Sequence, residues 1–442
     1  MTLIEVRANN RNTNGKNDFF IGPVSVRELI ERFDTPLYVY DAGTISRQVR
    51  SLHDAGFDSV RYAIKANNNP AVLKLIMDEG ASGVDVVSAG ELLIAQIAGI
   101  LSDEESPRRV VFGADFFANN SHDLEHVIKL NATLNAGSIN MIQEYGEMQP
   151  GIKDISIRLN PGFGHGHTKK VDTGGEHSKH GIWYGDASKA LRTASDYGLR
   201  VNGLHMHIGT GTNLWELERV AESLITNGQM VRDLEYVSAG GGIPVPYKEG
   251  DRKINLQKYR KLLANTERRL SAFFGRPINS EIEPGRYLVA ESGYLVGRIR
   301  DIKSTPANKF YLVDFGFDAM PRAVLYGAHH DMLIVGRNSK ESEVIVGGPL
   351  CESGDVFTQE QNGDLRPIKL PRAEIGDIII MKNVGAYGMS MASNYNSRFR
   401  PAEVMVNTDG SYQLIRSREG VADLTRNVIL HPEKITPRQA IQ

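Results

Sequence analysis

Short apolar runs alternate with amphipathic stretches through the middle of the chain, between residues 60 and 286. The apolar runs are continuous rather than strictly alternating, which is typical of parallel strands covered on both faces. About eight strand–helix units in this length are typical of a closed parallel barrel, so we predict an α/β fold with a (β/α)8 TIM barrel. The predicted strands are Val60–Lys65, Gly83–Ser88, Arg109–Gly113, Ala132–Ala136, Asp154–Asn160, Val201–Ile208, Glu235–Ala239 and Ser280–Glu283.

Helical periodicity lies between these strands and before them. Ser88 and Glu91 have the spacing of a capping box, which predicts that a helix begins just after the second strand. An open, doubly wound sheet is the alternative to the barrel, but no G-x-G-x-x-G follows the first strand to favour it. The predicted helices are Val24–Arg32, Gly43–Ala55, Pro70–Glu79, Gly90–Ile97, Asp123–Leu130, Ser188–Tyr197, Leu214–Leu234 and Leu256–Phe274.

After Arg286 the pattern changes to short apolar runs separated by Gly, Pro, Asn and Asp. This pattern predicts a mostly-β domain of sandwich or barrel type. The run TPLYVYD, which begins at Thr35, is expected to add a strand to it, because chain ends often meet in one domain. We predict an N-terminal segment at 1–43 that joins the β-domain, the barrel at 44–286 and the β-domain at 287–442. The strands predicted in the β-domain are Phe310–Asp314, Glu343–Gly347, Asp377–Lys382 and Glu403–Val406.

Composition excludes several classes of protein. The chain has 442 residues, of which 41% are hydrophobic and 24% charged, with a formal net charge of −2. These values are ordinary for a soluble enzyme and give no electrostatic case for nucleic acid or an anionic membrane as a partner. No apolar run is long enough to span a membrane, and the first residues lack the apolar core of a signal peptide, so we expect a cytoplasmic protein. The single cysteine, Cys351, rules out an intramolecular disulfide and a cysteine-based metal cluster.

Polar residues lie at the carboxyl ends of most predicted barrel strands, which is where such a barrel has its active site. The last two strands are followed by a triple glycine and by an arginine. Loops at this place commonly bind phosphate, since bare N–H groups and a guanidinium both suit an anion. A tight turn and a surface ion pair are the alternative interpretations of these two features. The polar residues at the strand ends are Lys65, Asp85, Arg158, Asn160, His207, Gly240–Gly242, Glu283 and Arg286.

A phosphate site beside a reactive lysine suggests pyridoxal 5′-phosphate (PLP), bound through an imine to Lys65. PLP withdraws electrons best when its ring nitrogen is protonated, and Glu283 is placed to pair with that nitrogen. His207 is expected to stack on the face of the ring. The competing use of a barrel lysine is a PLP-free Schiff-base aldolase, in which the glutamate and the histidine have less to do.

Several motifs occur in order along the chain: TPLYVYD, YAIKAN, GVDVVSAGEL, HMHIGTGT, AGGGIPVPY, EPGRYLVA, GGPLCESGD and GAYGMSMASNYN. With these motifs, most of the chain resembles the barrel-type, alanine racemase-like PLP-dependent amino-acid decarboxylases. It is most similar to the members that act on meso-diaminopimelate. The resemblance implies decarboxylation of meso-2,6-diaminopimelate to L-lysine and CO₂, the last step of lysine biosynthesis. It also implies a homodimer with shared active sites, in which the CESGD loop of one subunit reaches the barrel of the other.

The resemblance also implies roles for individual residues. Cys351 would protonate the carbanionic carbon after CO₂ leaves, and Glu352 would bind the distal amino-acid end of the substrate. The other catalytic residues would be Lys65, His207 and Glu283, and no metal is implied. The cofactor-binding residues would be Lys65, Asp85, His207, Thr210, Gly241, Gly242, Glu283, Arg286 and Tyr387. The substrate-binding residues would be Arg286, Arg322, Tyr326, Glu352 and Tyr387.

Two positions depart from the family pattern: Pro321 precedes Arg322 rather than following it, and Thr210 stands where Ser is commoner. A decarboxylase of lysine, ornithine or arginine, in either stereochemical series, therefore stays open as an alternative. So do a PLP racemase of the alanine racemase type and an inactive regulatory homologue that binds a partner. A racemase does not explain the CESGD motif, and the presence of both Lys65 and Glu283 argues against an inactive homologue.

The stretch Gly162–Lys179 carries His165, His167 and His177, with His180 just beyond it. A metal site is one interpretation of this histidine-rich stretch. No carboxylate or cysteine is set at ligand spacing there, so we predict no metal site. We predict instead a solvated loop over the mouth of the active site that acts as a lid.

Overall fold

The computed structural model describes residues 18–103, 105–106, 108–118, 120–166, 173–248, 250–251 and 253–429. Its first large sheet is the predicted barrel, in which each strand runs parallel to its neighbours and the neighbours follow chain order. A parallel bridge between Val60 and Ile282 joins the last strand to the first, so the ring is nearly closed. A short strand, Ile182–Trp183, pairs with the fifth barrel strand. The barrel strands are Arg61–Ala63, Gly83–Val86, Val110–Ala114, Thr133–Ala136, Asp154–Asn160, Arg200–His205, Tyr236–Ser238 and Asn279–Glu281.

The first, second, sixth and eighth barrel strands end two or three residues earlier than the sequence predicts. They end at Ala63, Val86, His205 and Glu281, and the backbone beyond these ends bonds partly to loops. In the sixth unit, for example, the carbonyl of Ile208 accepts the backbone N–H of His165 from the inserted loop. These early ends leave the residues that follow free to turn toward the top of the barrel.

Most helices lie where hydrophobic periodicity predicts them, although Leu214–Gly228 is shorter than predicted and Ile139–Glu147 is an additional helix. Ser88 caps its helix by accepting the N–H of Glu91 at 3.2 Å, as the capping-box spacing predicts. None of the helices in the described ranges is long and apolar enough to cross a membrane. The helices are Val26–Phe33, Ala42–Asp54, Pro70–Asp78, Ala89–Ile97, Asn120–Lys129, Ile139–Glu147, Ala187–Asp196, Leu214–Gly228, Leu256–Phe274, Arg286–Val289, Arg322–Tyr326 and Val421–Thr425.

A second large sheet is built mainly from the C-terminal part of the chain. Leu37–Asp41 lies inside it, antiparallel to Gly293–Ser304 and parallel to Ala402–Val406, which confirms that the N-terminal strand joins the β-domain. The residue numbers at which one domain gives way to the next stay a prediction. The strands of this sheet are Leu37–Asp41, Gly293–Ser304, Lys309–Val313, Met332–Ile334, Glu341–Gly347, Ile368–Pro371, Ile378–Lys382, Ala402–Val406 and Tyr412–Arg416.

The N-terminal strand is buried on both faces. Tyr38 and Tyr40 pack into one hydrophobic cluster of the β-domain, while Leu37 and Val39 pack into another on the opposite face. This division follows from the period of two in a β-strand, where successive side chains point to opposite faces. Burying each large side chain contributes roughly 1.5–3 kcal/mol, so this strand anchors the start of the chain to the β-domain.

A loop of the β-domain docks on the turn that follows the first barrel strand. The N–H of Tyr387 donates to the carbonyl of Ala66 at 2.7 Å, and the hydroxyl of Ser390 donates to the same carbonyl at 3.2 Å. The side-chain amide of Asn67 donates to the carbonyl of Gly385 at 3.2 Å. These bonds place Tyr387 beside Lys65, at the top of the barrel.

Candidate active site

Lys65 lies just past the first barrel strand rather than on it. The strand ends at Ala63 and Ile64–Ala66 forms one 3₁₀ turn, so the prediction that the strand itself carries the lysine is wrong. Ile64 and Ala66 are buried on either side, and Lys65 faces the open space at the barrel top. The two buried apolar residues thus fix the turn in the barrel, and the Lys65 amine is its one side-chain polar group in the cavity.

One cavity at the carboxyl end of the barrel brings the predicted cofactor-binding residues together. Its empty space is about 440 Å³, open solvent at the mouth included. The roles assigned to the lining residues stay predictions. The predicted cofactor-binding residues that line it are Lys65, Asp85, His207, Thr210, Gly241, Gly242, Glu283, Arg286 and Tyr387.

Glu283 enters the cavity two residues beyond the eighth strand and is held from two sides. The Ser238 hydroxyl donates to its Oε1 at 2.7 Å, and His205 Nε2 lies 3.2 Å from its Oε2. Its backbone N–H donates to the carbonyl of Gly240 at 2.8 Å. Contacts to both oxygens hold the carboxyl group in one orientation, and a carboxylate is the kind of group that pairs with a protonated pyridine nitrogen.

His207 is a neutral imidazole at the edge of the cavity. Burial, together with the nearby positive charges of Arg158 and Lys65, lowers its pKa well below the usual value. A Cβ on residue 240 would lie 2.7 Å from the Cβ of His207, so Gly240 leaves room for the ring. An uncharged ring can stack on a pyridine without opposing a positive charge on it.

Asp85 is the second buried carboxyl group of the cavity. Burial raises its pKa well above the usual value, and the nearby Glu283 raises it further. Two carboxylates that share one site rarely ionise together. The pair therefore favours a neutral Asp85 beside Glu283.

The loops after the sixth and seventh strands form a cradle that suits a phosphate. Gly242 has a φ of +95°, and a Cβ on residue 241 would lie 2.6 Å from the carbonyl oxygen of Glu283, so both positions require glycine. The buried hydroxyl of Thr210 has no hydrogen-bond partner among the described residues. With Arg286 on the same wall, an orphaned hydroxyl and bare backbone N–H groups match the donor set that the phosphate of PLP needs.

A wider cavity adjoins the first and shares Thr210 and Arg286 with it. Its empty space is about 1110 Å³, open solvent included, and Arg322 lies in its wall. Arg286 donates to the Tyr247 hydroxyl at 2.9 Å, and the guanidinium of Arg322 lies 4.7 Å from the centre of the same ring. Burial would raise the pKa of Tyr247, but the two arginines outweigh it and lower that pKa. Two guanidiniums in one wall suit a carboxylate.

Arg322 is held at the base of this wall by His330. Its Nη1 contacts Nε2 of His330 at 2.8 Å, and His330 Nδ1 contacts the carbonyl of Lys382 at 2.9 Å. Arg322 is only 2% exposed, and its Nε has no hydrogen-bond partner among the described residues. Tyr326 closes the same short helix, and its hydroxyl is among the groups that raise the pKa of Arg286.

Cys351 and Glu352 lie away from both cavities of their own chain. Both are exposed, and neither is among the residues that line the two cavities. The N–H of Cys351 donates to the side-chain oxygen of Asn396 at 2.8 Å, and the Tyr395 hydroxyl lies 3.5 Å from Glu352. The structure therefore does not bring these two predicted residues to Lys65 within one subunit.

The described parts of the histidine-rich stretch lie against the sixth barrel unit. Thr173 donates through its hydroxyl to the carbonyl of His207 at 3.1 Å, so this stretch borders the cavity. His180 contacts Asp115 at 2.5 Å, and His165 lies 3.6 Å from a carboxylate oxygen of Glu216. His167 lies outside the described residues. The role as a lid stays a prediction.

Four residues at the site were missed by the reasoning from sequence. His205 and Ser238 contact Glu283, and Tyr247 and His330 contact the arginines. The spacing of the two histidines in HMH could have indicated His205, because residues two apart on a strand point to the same face. Tyr247 ends the motif AGGGIPVPY, but its contact with Arg286, like those of Ser238 and His330, depends on how distant segments pack.

A closed parallel barrel that gathers a lysine, a glutamate, a glycine cradle and an arginine around one cavity defines a barrel-type PLP enzyme. A profile of the family described as "Pyridoxal-dependent decarboxylase, pyridoxal binding domain" matches residues 42–290. The chain belongs to this family. The diaminopimelate decarboxylase of Streptomyces coelicolor is 42% identical to it, over 91% of this chain and 91% of its own length. That of Escherichia coli strain K12 is 41% identical, over 90% of this chain and 94% of its own length.

Solved structures show the same architecture. A diaminopimelate decarboxylase superposes with a TM-score of 0.87 at 40% identity, covering 92% of this chain and 96% of its own. The diaminopimelate decarboxylase of M. jannaschii in complex with L-lysine has a TM-score of 0.83 at 32% identity, with 94% and 96% covered. The lysine/ornithine decarboxylase of Vibrio vulnificus is 19% identical and shares the fold, with a TM-score of 0.73 over 87% of this chain and 98% of its own.

Proposed function

We propose that this protein is a PLP-dependent carboxy-lyase that converts meso-2,6-diaminopimelate to L-lysine and CO₂, the last step of lysine biosynthesis. The observation that carries the proposal is the pair of adjoining cavities. One holds Lys65 and Glu283 beside a phosphate cradle, and the other holds two arginines, Arg286 and the buried Arg322. Diaminopimelate decarboxylases at about 40% identity over most of the chain support the same reaction.

The residues of the first cavity would hold PLP in a defined orientation. Lys65 would anchor it covalently, Glu283 would face its ring nitrogen and His207 would lie on the ring face. Gly241, Gly242, Thr210, Arg286 and Tyr387 would surround its phosphate. When bound, PLP supplies an electron sink for the pair of electrons released as the Cα–carboxylate bond breaks.

The residues of the second cavity would select a substrate with a second carboxylate. Diaminopimelate differs from lysine by the carboxylate on its distal carbon. Arg286 and Arg322 lie in one wall and would pair with it, with Tyr326 near them. Lysine and ornithine offer no such group, so the paired guanidiniums favour diaminopimelate over these substrates.

We further propose a homodimer that shares its active sites. Cys351 and Glu352 lie on an exposed loop away from the cavities of their own subunit, so their predicted roles require the cavity of a second copy. The thiol of Cys351 would return a proton to the substrate carbon that has lost CO₂, and Glu352 would pair with the distal ammonium. The cytoplasmic location stays the expectation drawn from the sequence.

A side-by-side assay of CO₂ release tests the proposed substrate. Purified protein stripped of bound PLP would be given meso-diaminopimelate, L-lysine, D-lysine, L-ornithine or L-arginine, each with and without added PLP. We expect CO₂ only with PLP and far faster release from meso-diaminopimelate, with L-lysine as product. Faster CO₂ release from another basic amino acid would contradict the proposed substrate. Racemisation without CO₂ release would contradict the proposed reaction.

A further inference from the structure

A buried chain of polar side chains runs from the pyridine-facing carboxylate into the barrel interior. The Ser156 hydroxyl donates to Oδ1 of Asn135 at 3.1 Å, and Asn135 Nδ2 contacts His205 Nδ1 at 2.8 Å. On its other side, His205 Nε2 lies 3.2 Å from Oε2 of Glu283. These four residues are between 2% and 7% exposed. Burying polar groups lowers the stability of the fold unless the groups pair with one another. A series of four such side chains in a barrel core therefore suggests a functional role.

The direction of the first two contacts decides where His205 carries its proton. The amide nitrogen of Asn135 is a donor only, and the amide is oriented with its oxygen toward Ser156, from which it accepts, and its nitrogen toward His205. His205 Nδ1 is therefore an acceptor, and a neutral ring then bears its proton on Nε2. Burial lowers the pKa of His205, which keeps the ring neutral. The single N–H of the ring lies on the side of Glu283, whose Oε2 is 3.2 Å from Nε2. The angle of this contact is too bent for a hydrogen bond, and Nε2 has no hydrogen-bond partner among the described residues.

We propose that His205 is a positioning residue for PLP: held in one tautomer by Asn135, it orients Glu283 toward the pyridine nitrogen. The proposal goes beyond the assigned substrate and rests on PLP being the cofactor. Ser238 donates to Oε1 of the same carboxylate at 2.7 Å, and His205 Nε2 lies 3.2 Å from Oε2, so a small rotation of either group would make His205 the second donor that fixes the carboxylate plane.

A neutral donor has an advantage over a cation at this position. In its proposed role, the Glu283 carboxylate pairs with the protonated ring nitrogen of PLP. An arginine or lysine beside the carboxylate would compete with the ring nitrogen for this ion pair. A neutral imidazole N–H adds direction without adding charge. The pair of electrons that leaves the substrate is best accepted when the ring nitrogen stays protonated, so the histidine acts on the reaction through the carboxylate.

Three variants test this role in the PLP-loaded protein. His205→Leu removes both polar contacts. His205→Gln keeps an acceptor toward Asn135 and a donor toward Glu283, and so serves as the conservative rescue. Asn135→Asp replaces the amide donor by an acceptor, which either removes the proton facing Glu283 or places a positive charge beside it. The readouts are the visible absorbance of the bound cofactor, the dissociation constant for PLP and the melting temperature of the PLP-free protein.

We expect His205→Leu and Asn135→Asp to shift the cofactor absorbance to shorter wavelength and to weaken PLP binding by about tenfold or more, as the loss of a hydrogen bond to a charged group predicts. His205→Gln should stay close to wild type in both. Unchanged absorbance and PLP affinity in His205→Leu would overturn the proposal, and so would equal changes in His205→Leu and His205→Gln, which would indicate packing alone. If His205→Leu does not fold, the contrast between His205→Gln and Asn135→Asp decides in the same way.

These measurements need no substrate, so they separate the inference from the proposed function. Wild-type protein that binds PLP but releases no CO₂ would contradict the proposed function and leave the role of His205 standing. If the wild-type protein is a decarboxylase but the His205→Leu variant keeps the absorbance and PLP affinity of wild type, the proposed function stands and the role of His205 is contradicted.

Discussion

At the scale of single residues, burial decides which groups in the cavity carry charge. Burial is the main cause that lowers the pKa of His205 and His207 and raises that of Asp85. Burial therefore favours the uncharged form of three titratable groups around the cavity that Lys65 and Glu283 line.

Arg322 gives a prediction at this scale. Replacing Arg322 by Met should raise KM for meso-diaminopimelate by about 10- to 100-fold, because one charged donor to the distal carboxylate is lost. kcat should change less, since the distal carboxylate is remote from the bond that breaks. Steady-state kinetics measures both constants. The matched control is Arg232→Met, whose side chain is 91% exposed and should leave both constants unchanged. An unchanged KM in Arg322→Met would rule out its role in substrate binding.

At the scale of elements, the barrel is tied together where its last strand meets its first. Glu281 on the eighth strand pairs with Arg61 on the first at 3.0 Å, and Arg108 contacts the same carboxylate at 2.9 Å. Burial would raise the pKa of Glu281, but the two arginines outweigh it and lower that pKa. In the part of the chain that the structure describes, a single bridge, from Val60 to Ile282, joins the first and eighth strands beside their ends, so this ion pair reinforces a sparse junction.

Replacing Glu281 by Gln should destabilise the protein in a pH-dependent way. Removing one partner of a buried ion pair costs about 3–5 kcal/mol near pH 7. The folded-state pKa of Glu281 lies below the unfolded value, so its contribution is present above about pH 4.3 and is lost as the pH falls through the folded pKa. Urea unfolding should therefore show a gap between wild type and variant near pH 7 that narrows in acid.

The exposed Glu125, on the helix Asn120–Lys129, provides the matched control for this experiment. Glu125→Gln should change stability by less than about 0.5 kcal/mol at either pH. A gap for Glu281→Gln that stays constant with pH would contradict the assigned ion pair.

The order of strands and helices could be predicted from the sequence because hydrophobic periodicity is local. All of the predicted barrel strands are present, and the early strand TPLYVYD lies in the β-domain as predicted. The ends of the first, second, sixth and eighth strands could not be predicted, because a strand ends where its neighbour stops pairing. His205 and Ser238 were missed for the same reason, since the strand register that brings them to Glu283 is a property of the closed barrel.

At the scale of the whole molecule, the active site draws on both domains. The loop that carries Tyr387 comes from the β-domain and bonds to Ala66, next to Lys65. Cys351 comes from the same domain but lies outside the cavity of its own subunit. Within one chain the site thus has the predicted cofactor-binding residues and lacks the predicted proton donor.

Mixing two inactive variants tests whether a second subunit supplies that donor. Lys65→Ala and Cys351→Ala should each lose decarboxylation as homodimers. A mixed dimer would contain one site with both wild-type residues, so random re-association of equal amounts should restore about one quarter of the wild-type activity. Activity is measured after the two variants are dissociated and reassembled together, with each variant treated alone as the control. No recovery in the mixture, with mixed dimers demonstrated, would place Cys351 outside the site of the partner subunit.

Whether PLP bound through Lys65 performs the decarboxylation is tested most directly by comparing wild type with Lys65→Ala. Both proteins are loaded with PLP, freed of excess cofactor and given meso-diaminopimelate, while CO₂, L-lysine and the visible absorbance of the bound cofactor are followed. We predict equal amounts of CO₂ and L-lysine from wild type, and neither product nor the visible band from the variant. A Lys65→Ala protein that keeps both the band and the release of CO₂ would contradict the role of Lys65.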